Sequence, residues 1–383
     1  MSVRQPRFEV HKAQKIAAAL LLIFALQELW LVAHLPLTMA ETRNSLVGKA
    51  LWSESQLGNA RSPLIPGDSI LTVRLAGFLP AAGQHWPGKT SNVSVYAAPS
   101  RWLVRLPFVA FGLWLGGALW WVTRRLFGDE GGYVALSLYC FSPPILVASA
   151  TAEFPILASW GLFGLVFTSI GVAHTLYAPA KKWRPRILLL ALAIGLTAAA
   201  NVSAVIAGLV FATVLMIYLA PGRRLHSLSI LIVGSGLGLF VLLFCFGLNL
   251  RDLHAAELLP NSEYIRFTTH RIAVFQSIPG GLLATVAFLS SFVIFLMWRR
   301  TRYFGNCAPL TLALLLPWWP GEFVPTGSLI CALPFAFVFI GGIYADLLDT
   351  KFFAGRFRKF VAFAALLLVG ASAVLSLTVV LGA

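Results

Sequence analysis

IAAALLLIFALQELWLVAHL, residues 16–35, is the first of several apolar stretches in this 383-residue chain that match the length of one membrane-spanning helix. A helix needs about 20 predominantly apolar residues to cross the hydrocarbon core of a bilayer. Residues 187–220 are long enough for two such spans, divided at Asn201, and residues 307–318 could form a shorter one. Further stretches lie at residues 102–123, 131–150, 154–176, 228–248, 278–298, 322–345 and 361–382. The sequence therefore predicts an all-α polytopic integral membrane protein with about eleven transmembrane helices.

The composition excludes an ordinary water-soluble domain. Hydrophobic residues make up 58% of the chain and charged residues only 11%, which inverts the balance of a soluble protein. We therefore expect a single membrane domain over residues 1–383 without a soluble C-terminal domain. The four cysteines, none in a CxxC motif, fall within or at the edge of apolar runs, so they are not expected to form a metal or redox site. No cofactor is expected, and a divalent metal is left open.

Basic residues collect in alternate loops, as the positive-inside rule requires of cytoplasmic loops. We therefore expect the N-terminus in the cytoplasm and the C-terminus outside it, in a bacterial inner membrane, with Lys182 and Arg300 cytoplasmic and Lys89 and Glu263 extracytoplasmic. The net charge of +15 then reflects orientation in the bilayer rather than a nucleic-acid partner. The basic groups are Arg4 to Lys15, Arg124 and Arg125, Lys181 to Arg186, Arg223 and Arg224, Arg299 to Arg302, and Lys351 to Lys359.

Two long loops are predicted on the extracytoplasmic side, at residues 36–101 and 249–277. Residues 41–52 and 68–79 of the first loop carry apolar side chains at helical spacing, which is typical of helices lying in the membrane interface. We expect the two loops to pack together and to form one cleft. Inside the first span, Glu28 follows Gln27, and a charge at that depth indicates a helix face turned away from lipid.

The segment Ala40-Glu41-Thr42-Arg43-Asn44 follows the first span directly. It resembles the Asp-Glu-x-Arg-Tyr motif that opens the first extracytoplasmic loop of polyprenyl-phosphate-dependent glycosyltransferases of the C superfamily. The resemblance is to the protein-mannosyltransferase and aminoarabinose-transferase kind, glycosyltransferase family 39, and extends over about residues 31–348. Its other motifs are Arg105-Leu106-Pro107, Arg124-Arg125-Leu126-Phe127-Gly128, Ser142-Pro143, Glu153-Phe154-Pro155, where the family often has Asp-x-Pro, and Leu333-Pro334 through Ile343.

The resemblance implies a loop carboxylate that activates the acceptor and basic side chains that hold the lipid phosphate. Ala40 stands where the family has Asp, and Asn44 where it has Tyr, so a transferase must use Glu41 or Glu153 as the base. The expected partners are the bilayer and a polyprenyl-phosphate sugar donor, with the sugar and acceptor undefined. The phosphate-binding candidates are Arg43, Lys49, Arg61, Arg101, Arg105, Arg251, Arg266 and Arg271.

Each of these residues also has a structural interpretation. Glu41 can favour the N-terminus of a helix through its dipole, Glu153 can be a solvated hairpin residue, and the arginines can anchor lipid headgroups. Two other functions stay open beside the transferase: a non-catalytic relative that binds a lipid-linked sugar, suggested by Ala40, and a transporter, suggested by Glu28 and Asn201. A carboxylate and an arginine converging on one lipid-open cavity would favour the transferase.

Overall fold

The computed structural model is helical, without a β-strand in the part of the chain that it describes. This part comprises residues 12–52, 64–65, 67–83, 100–177, 183–255, 275–319, 327–349 and 355–383, with backbone only for residues 251 and 255. The predicted all-α class is confirmed for these residues.

The described helices follow one another with short connections. Three-residue 3₁₀ helices precede α9, precede α12 and follow α12. The α-helices are α1 (Lys12–His34), α2 (Met39–Trp52), α3 (Ile70–Ala82), α4 (Arg101–Cys140), α5 (Pro143–Ala150), α6 (Phe154–Thr175), α7 (Arg184–Ala200), α8 (Val202–Leu219), α9 (Arg224–Cys245), α10 (Leu250–Ala255), α11 (Gly281–Met297), α12 (Phe304–Leu315), α13 (Gly327–Asp349) and α14 (Gly355–Leu381).

Seven of the described helical segments are long and apolar enough to cross a membrane, which supports an integral membrane protein. They are α1, α4, α6, α8, α9 with its preceding 3₁₀ turn, α13 and α14. The helices α3, α11 and α12 are apolar but shorter. The number of spans, predicted as eleven, stays a prediction.

Two predicted spans differ from the helices observed. Residues 102–123 and the first part of 131–150 both belong to α4, which folds back on itself at Gly128, where φ is +82°. The Tyr139 hydroxyl donates to the Gly112 carbonyl oxygen at 2.6 Å, so the two halves of α4 lie side by side. The predicted span 131–150 is interrupted at Ser142, which is extended because Pro143 disfavours helical geometry in the preceding residue.

The predicted division of residues 187–220 is confirmed, because α7 ends at Ala200 and α8 begins at Val202. Between them, Asn201 has extended backbone, and its side chain accepts a hydrogen bond from the Ala204 N–H at 2.8 Å. Asparagine is a preferred residue at this capping position. Asn201 therefore ends α7 and caps the N-terminus of α8.

The centre of the bundle is α13, which packs against α4, α6 and α12 and is buried along most of its length. In contrast, α14 is exposed along most of its length and presents large apolar side chains such as Leu366 outward. Exposed apolar surface of this extent is expected where lipid is the solvent. The end of the bundle where α1 ends and α2 and α3 lie is called the α2–α3 end below.

Glu28 is fully buried in α1, as expected of a helix face turned away from lipid. Its carboxylate lies beside Ser149 of α5 and Gly112 of α4, and a Cβ at position 112 would come within 2.9 Å of Glu28 Oε1. The amide of Gln27 donates weakly to the Cys140 carbonyl oxygen at 3.5 Å. The polar face of α1 therefore lies against α4 and α5 inside the bundle.

Candidate functional site

The first turn of α2 is a capping box. The Thr38 hydroxyl accepts a hydrogen bond from the Glu41 N–H at 3.1 Å, and Glu41 Oε2 accepts one from the Thr38 N–H at 2.8 Å. This reciprocal pattern satisfies two backbone donors that the start of a helix leaves unpaired. It also turns the carboxylate of Glu41 back toward the chain that enters the helix.

Glu41 forms a buried ion pair with Arg105 at the beginning of α4, and neither side chain has any exposed surface. Arg105 donates from Nε to Glu41 Oε1 at 2.7 Å and from Nη2 to Oε2 at 2.6 Å. The same guanidinium donates to the carbonyl oxygens of Leu35 at 2.9 Å and Pro36 at 2.8 Å. Arg105 therefore joins the end of α1, the start of α2 and α4.

The same carboxylate also holds the turn between α5 and α6. Glu41 Oε1 accepts a hydrogen bond from the Ala152 N–H at 2.8 Å, and Asn44 Nδ2 donates to the Ala152 carbonyl oxygen at 3.3 Å. The backbone N–H and the carbonyl oxygen of Ala152 are thus both hydrogen-bonded to side chains of α2. The residue that follows in the chain, Glu153, is placed by this contact.

Four donors occupy the Glu41 carboxylate, namely two from Arg105 and the N–H groups of Thr38 and Ala152. Burial by itself would raise the pKa of Glu41, but these hydrogen bonds favour the charged form and hold the pKa below its ordinary value. A carboxylate in this state is a stable anion rather than a ready proton acceptor.

Glu153 has a different environment. It is half-buried at the residue before α6, makes no capping hydrogen bond to that helix, and receives none from the rest of the described chain. Burial and the nearby charge of Glu41 raise the pKa of Glu153 above its ordinary value, although Arg105 opposes this effect. With respect to the described residues, its carboxylate therefore keeps its hydrogen-bonding capacity available at the α2–α3 end.

Arg43 is paired with a carboxylate that the sequence analysis did not select. Its Nη1 and Nη2 donate to the two oxygens of Asp68 at 2.8 and 2.7 Å, and Asp68 Oδ2 also accepts from the Ile65 N–H. A bidentate pair of this kind is among the stronger ionic contacts in proteins. Ala40, at the position of the expected base, has an exposed side chain without an ionisable group.

The remaining phosphate-binding candidates have varied environments. Arg101 is exposed and donates to the Ala33 carbonyl oxygen at 3.0 Å, and Lys49 is half-buried and makes polar interactions of its own. The helix that carries Arg251 is described but its side chain is not. Arg61, Arg266 and Arg271 lie outside the described residues, as does most of the loop 249–277 and with it the predicted cleft.

The helices α2 and α3, which were predicted as interfacial helices and are confirmed as helices, meet in direct backbone contact. A Cβ at Gly48 would lie 1.9 Å from the Val73 carbonyl oxygen, and one at Gly77 would lie 2.1 Å from the Gly48 carbonyl carbon. No other amino acid fits at either position without separating the helices. The two glycines therefore make α2 and α3 one unit, which packs through α3 against α4, α6, α7 and α9.

An apolar groove of about 860 Å³ lies between α8 and α12. Val210 and Val214 line it from α8, and Thr311 and Leu315 from α12. It extends along the full length of α12, with Trp319 at one end. Its shape and lining suit a hydrocarbon chain.

Metal-binding geometry is not evident in the described part of the chain, which contains no cluster of three or more His, Cys, Asp or Glu side chains able to hold an ion. The ionic contacts at the α2–α3 end are instead carboxylate–guanidinium pairs. Asp68 and the peptide of Ala152 are the parts of this site that sequence reasoning missed. The spacing of Thr38 and Glu41 was the signal available for the capping box.

Comparison with known proteins shows that this chain is similar in fold to solved structures. No family model matches the sequence, and no curated protein is detectably similar in sequence. A structure of ArnT from Cupriavidus metallidurans bound to undecaprenyl phosphate superposes with a TM-score of 0.63 at 15% identity, covering 96% of this chain and 75% of that one. The apo oligosaccharyltransferase of Archaeoglobus fulgidus gives 0.59 at 11% identity, covering 97% of this chain.

The chain spans little more than half of the oligosaccharyltransferase, 56% of its length. A second structure of that enzyme, AglB in complex with an inhibitory peptide and a dolichol-phosphate, has a TM-score of 0.56 at 12% identity, covering 94% of this chain and 55% of that one. These likenesses confirm the expected fold, because the chain superposes on ArnT and on the oligosaccharyltransferase over most of its length. At this level of identity they establish the fold alone.

Proposed function

We propose that this protein transfers a sugar from a polyprenyl-phosphate donor to an acceptor at the extracytoplasmic face of a membrane. The observation that carries the proposal is the Glu153 carboxylate, which has no hydrogen-bond donor among the described residues and lies beside the Glu41–Arg105 pair. A general base must be within reach of the acceptor and must have a free lone pair. Glu153 meets the second condition, whereas Glu41 does not.

The two candidate carboxylates then have separate roles. Glu41 is a positioning residue, because its four hydrogen bonds fix α1, α4 and the α5–α6 turn around the start of α2. Glu153 is the catalytic base, and its raised pKa brings the proton affinity of the carboxylate closer to that required for deprotonating a hydroxyl or amine. Ala40 takes no part in the chemistry.

The groove between α8 and α12 supports a lipid-linked donor. A polyprenyl chain is hydrocarbon along its length, and the groove offers a largely apolar lining between α8, which is long and apolar enough to span a membrane, and the shorter apolar helix α12. Ser69, at the start of α3, donates to the Ala199 carbonyl oxygen at 3.3 Å, which places the α7–α8 corner at the α2–α3 end. A donor held along α8 would thus have one end directed toward Glu153.

Orientation follows from charge. We place the α2–α3 end outside the cytoplasm, because Arg124, Arg125, Arg299, Arg300 and Arg302 lie at helix ends that the positive-inside rule assigns to the cytoplasm. The loops 36–101 and 249–277 are then both extracytoplasmic. A bacterial inner membrane is the compartment proposed, because it holds undecaprenyl-phosphate sugars on its outer leaflet.

The experiment is an assay of sugar release from undecaprenyl-phosphate donors by the full chain in lipid nanodiscs, with membrane extract as the source of acceptor. The parent should turn over at least one donor, and Glu153→Gln should lower the rate by about 10²–10⁴-fold, the usual effect of losing a positioned base. Glu130→Gln is the matched control, since that exposed carboxylate pairs with Arg358 at 3.4 Å, distant from the α2–α3 end. An equal rate in Glu153→Gln would contradict the assignment.

A non-catalytic relative that binds the lipid-linked sugar is the second candidate, and one observation favours it. The side chain at position 40 is an exposed methyl group where the resemblance leads us to expect a carboxylate. If the parent turns over none of the donors and yet binds undecaprenyl phosphate, the second candidate is the correct one.

A further inference from the structure

Arg74, near the middle of α3, is a basic residue that neither the sequence motifs nor the proposed reaction uses. Its guanidinium stacks on the indole of Trp52 at 5.1 Å, and the Trp52 Nε1–H donates to the Arg74 carbonyl oxygen at 2.8 Å. Trp52 and its edge-on neighbour Phe78 are both exposed. Exposed aromatic side chains beside an arginine are typical of the boundary between lipid and water.

The end of α9 leaves room for this guanidinium. Arg74 Nη2 lies 2.9 Å from the position that a Cβ would occupy at Gly247, and Gly247 has a φ of +65°. A glycine therefore serves two purposes here, since it permits the left-handed turn and admits the arginine. The guanidinium is held between Trp52 of α2 and the turn that follows α9.

Arg74 differs from the other arginines at the α2–α3 end whose side chains the structure describes. Arg105 is paired with Glu41, Arg43 with Asp68, and Arg101 donates to a backbone carbonyl. The described residues place no carboxylate within ion-pair distance of Arg74, and its Nε–H is buried without an acceptor. A half-buried guanidinium is costly without a counter-charge, and the described residues do not supply one, so an external anion is a candidate for this role.

We propose that Arg74 binds the phosphate group of a membrane lipid at the α2–α3 end. Stacking on Trp52 covers one face of the guanidinium and leaves the N–H donors at its edge, the geometry that suits a phosphate. The phosphate can come from the polyprenyl-phosphate donor, in which case the inference rests on the proposed function, or from a phospholipid headgroup. Both sources present the same chemistry.

Lipid binding by the full purified chain in detergent tests the proposal, with undecaprenyl phosphate and phosphatidylglycerol titrated separately and followed by native mass spectrometry. Arg74→Gln should weaken binding of at least one lipid about tenfold, as expected for losing charge-assisted hydrogen bonds. Undecaprenol, which lacks the phosphate, should bind the parent and the variant equally. Loss confined to one lipid identifies the source of the phosphate.

Arg125→Gln is the matched control, because Arg125 stacks on Trp121 at 5.4 Å at the opposite end of the first half of α4. It should leave both affinities unchanged. If Arg74→Gln does not fold, Arg74→Lys keeps the charge but loses the planar donor pair, and binding should fall about threefold. Affinities equal to the parent's for both lipids would overturn the proposal.

The lipid-binding test of Arg74 and the sugar-release assay of the proposed function can fail independently. A parent that turns over a donor while Arg74→Gln binds both lipids normally refutes the inference alone. A parent that turns over no donor, but whose binding of phosphatidylglycerol depends on Arg74, refutes the proposed function alone.

Discussion

Glu41 and Glu153 are two carboxylates whose environments push their pKa values in opposite directions. Glu41 is buried with four donors, and Glu153 is half-buried with none among the described residues. Hydrogen bonds from four donors stabilise the charged form of a carboxylate, whereas a half-buried carboxylate without such donors takes up a proton more readily. Substitutions at the two positions should therefore affect different measurements.

Replacing Glu41 by glutamine should destabilise the fold. The change leaves the Arg105 guanidinium buried without a counter-charge, and breaking a buried pair in this way typically costs about 3–5 kcal/mol. We expect a clear drop in the apparent melting temperature in detergent, followed by tryptophan fluorescence. Glu153→Gln is the control and should melt close to the parent. Equal melting of all three proteins would show that the pair contributes little.

Acid should act on the same contact. The folded state holds the pKa of Glu41 below its value in the unfolded chain, so protonation favours unfolding. The stability that Glu41 contributes is thus complete above the ordinary carboxyl range and is lost as the pH falls through the folded-state pKa. Melting temperatures measured from neutral to acid pH should decline more steeply for the parent than for Glu41→Gln. Parallel curves would contradict this expectation.

The pH dependence of turnover should report Glu153. A general base must be deprotonated to act, and the pKa of Glu153 lies above its ordinary value, so the acid limb of kcat/KM should lie above the ordinary carboxyl range. This limb should disappear in Glu153→Gln, whose residual rate should not change with pH over the same range. A limb that persists unchanged in the variant would assign the titration to another group.

At the residue scale, sequence reasoning selected the correct segment but not its partners. Glu41, Arg43 and Arg105 were chosen as functional residues, and all three lie at the α2–α3 end. The pairing of Glu41 with Arg105, and the pairing of Arg43 with Asp68, could not be deduced, because each joins residues that are distant in the chain. Spacing rules reach only three or four residues along a helix.

At the element scale, the backbone contact between α2 and α3 is the feature most sensitive to substitution. Gly48→Ala places a methyl group within 1.9 Å of the Val73 carbonyl oxygen, a separation that no side-chain movement can relieve. We expect a loss of stability of at least about 3 kcal/mol, at or beyond the upper end for overpacked cores. The measurement is again the apparent melting temperature.

Gly117→Ala is the control for this substitution, because nothing lies within 4 Å of a Cβ at that position in α4. Alanine is the better helix former, so this variant should be as stable as the parent or slightly more so. A Gly48→Ala protein that melts with the parent would mean that the two helices can separate freely.

Predictions of helices from apolar length succeeded where one stretch formed one helix, as in α1, α6 and α14. They failed at Ser142, where the apolar run continues across a proline while the helix does not. The hydropathy of a segment predicts whether it lies in an apolar environment, but it does not predict where the helix is interrupted. The sequence contains Ser142-Pro143, which favours a helix break, but a prediction from apolar length alone does not take the proline into account.

At the scale of the whole molecule, orientation in the membrane is directly testable. Single cysteines introduced into a background with all four native cysteines replaced should react from outside at Lys89 and Glu263 but not at Lys182 or Arg300. The reagent is a membrane-impermeant maleimide applied to intact cells. Labelling at position 300 without labelling at position 89 would invert the proposed orientation and place Glu153 in the cytoplasm.

The fold could be anticipated from the order of spans and motifs, and the likeness to ArnT and to the oligosaccharyltransferase confirms it. The chemistry could be anticipated less well, because a fold supports many functions and the side chain at position 40 departs from the expected pattern. Glu153 was identified from Glu153-Phe154-Pro155, a short motif. That no described residue donates a hydrogen bond to its carboxylate depends on the three-dimensional structure and could not be read from the motif.

The buried carboxylate of Glu41 also constrains how the protein is made. Arg105 follows it by 64 residues and Ala152 by 111, so a ribosome must deliver α4 and then the α5–α6 turn before the last of these bonds can form. Before α4 is synthesised, the Thr38 N–H is the one of these four donors that Glu41 can bind. The contacts that dock α2 on α4 and on the α5–α6 turn can therefore be complete only after residue 152 has been synthesised.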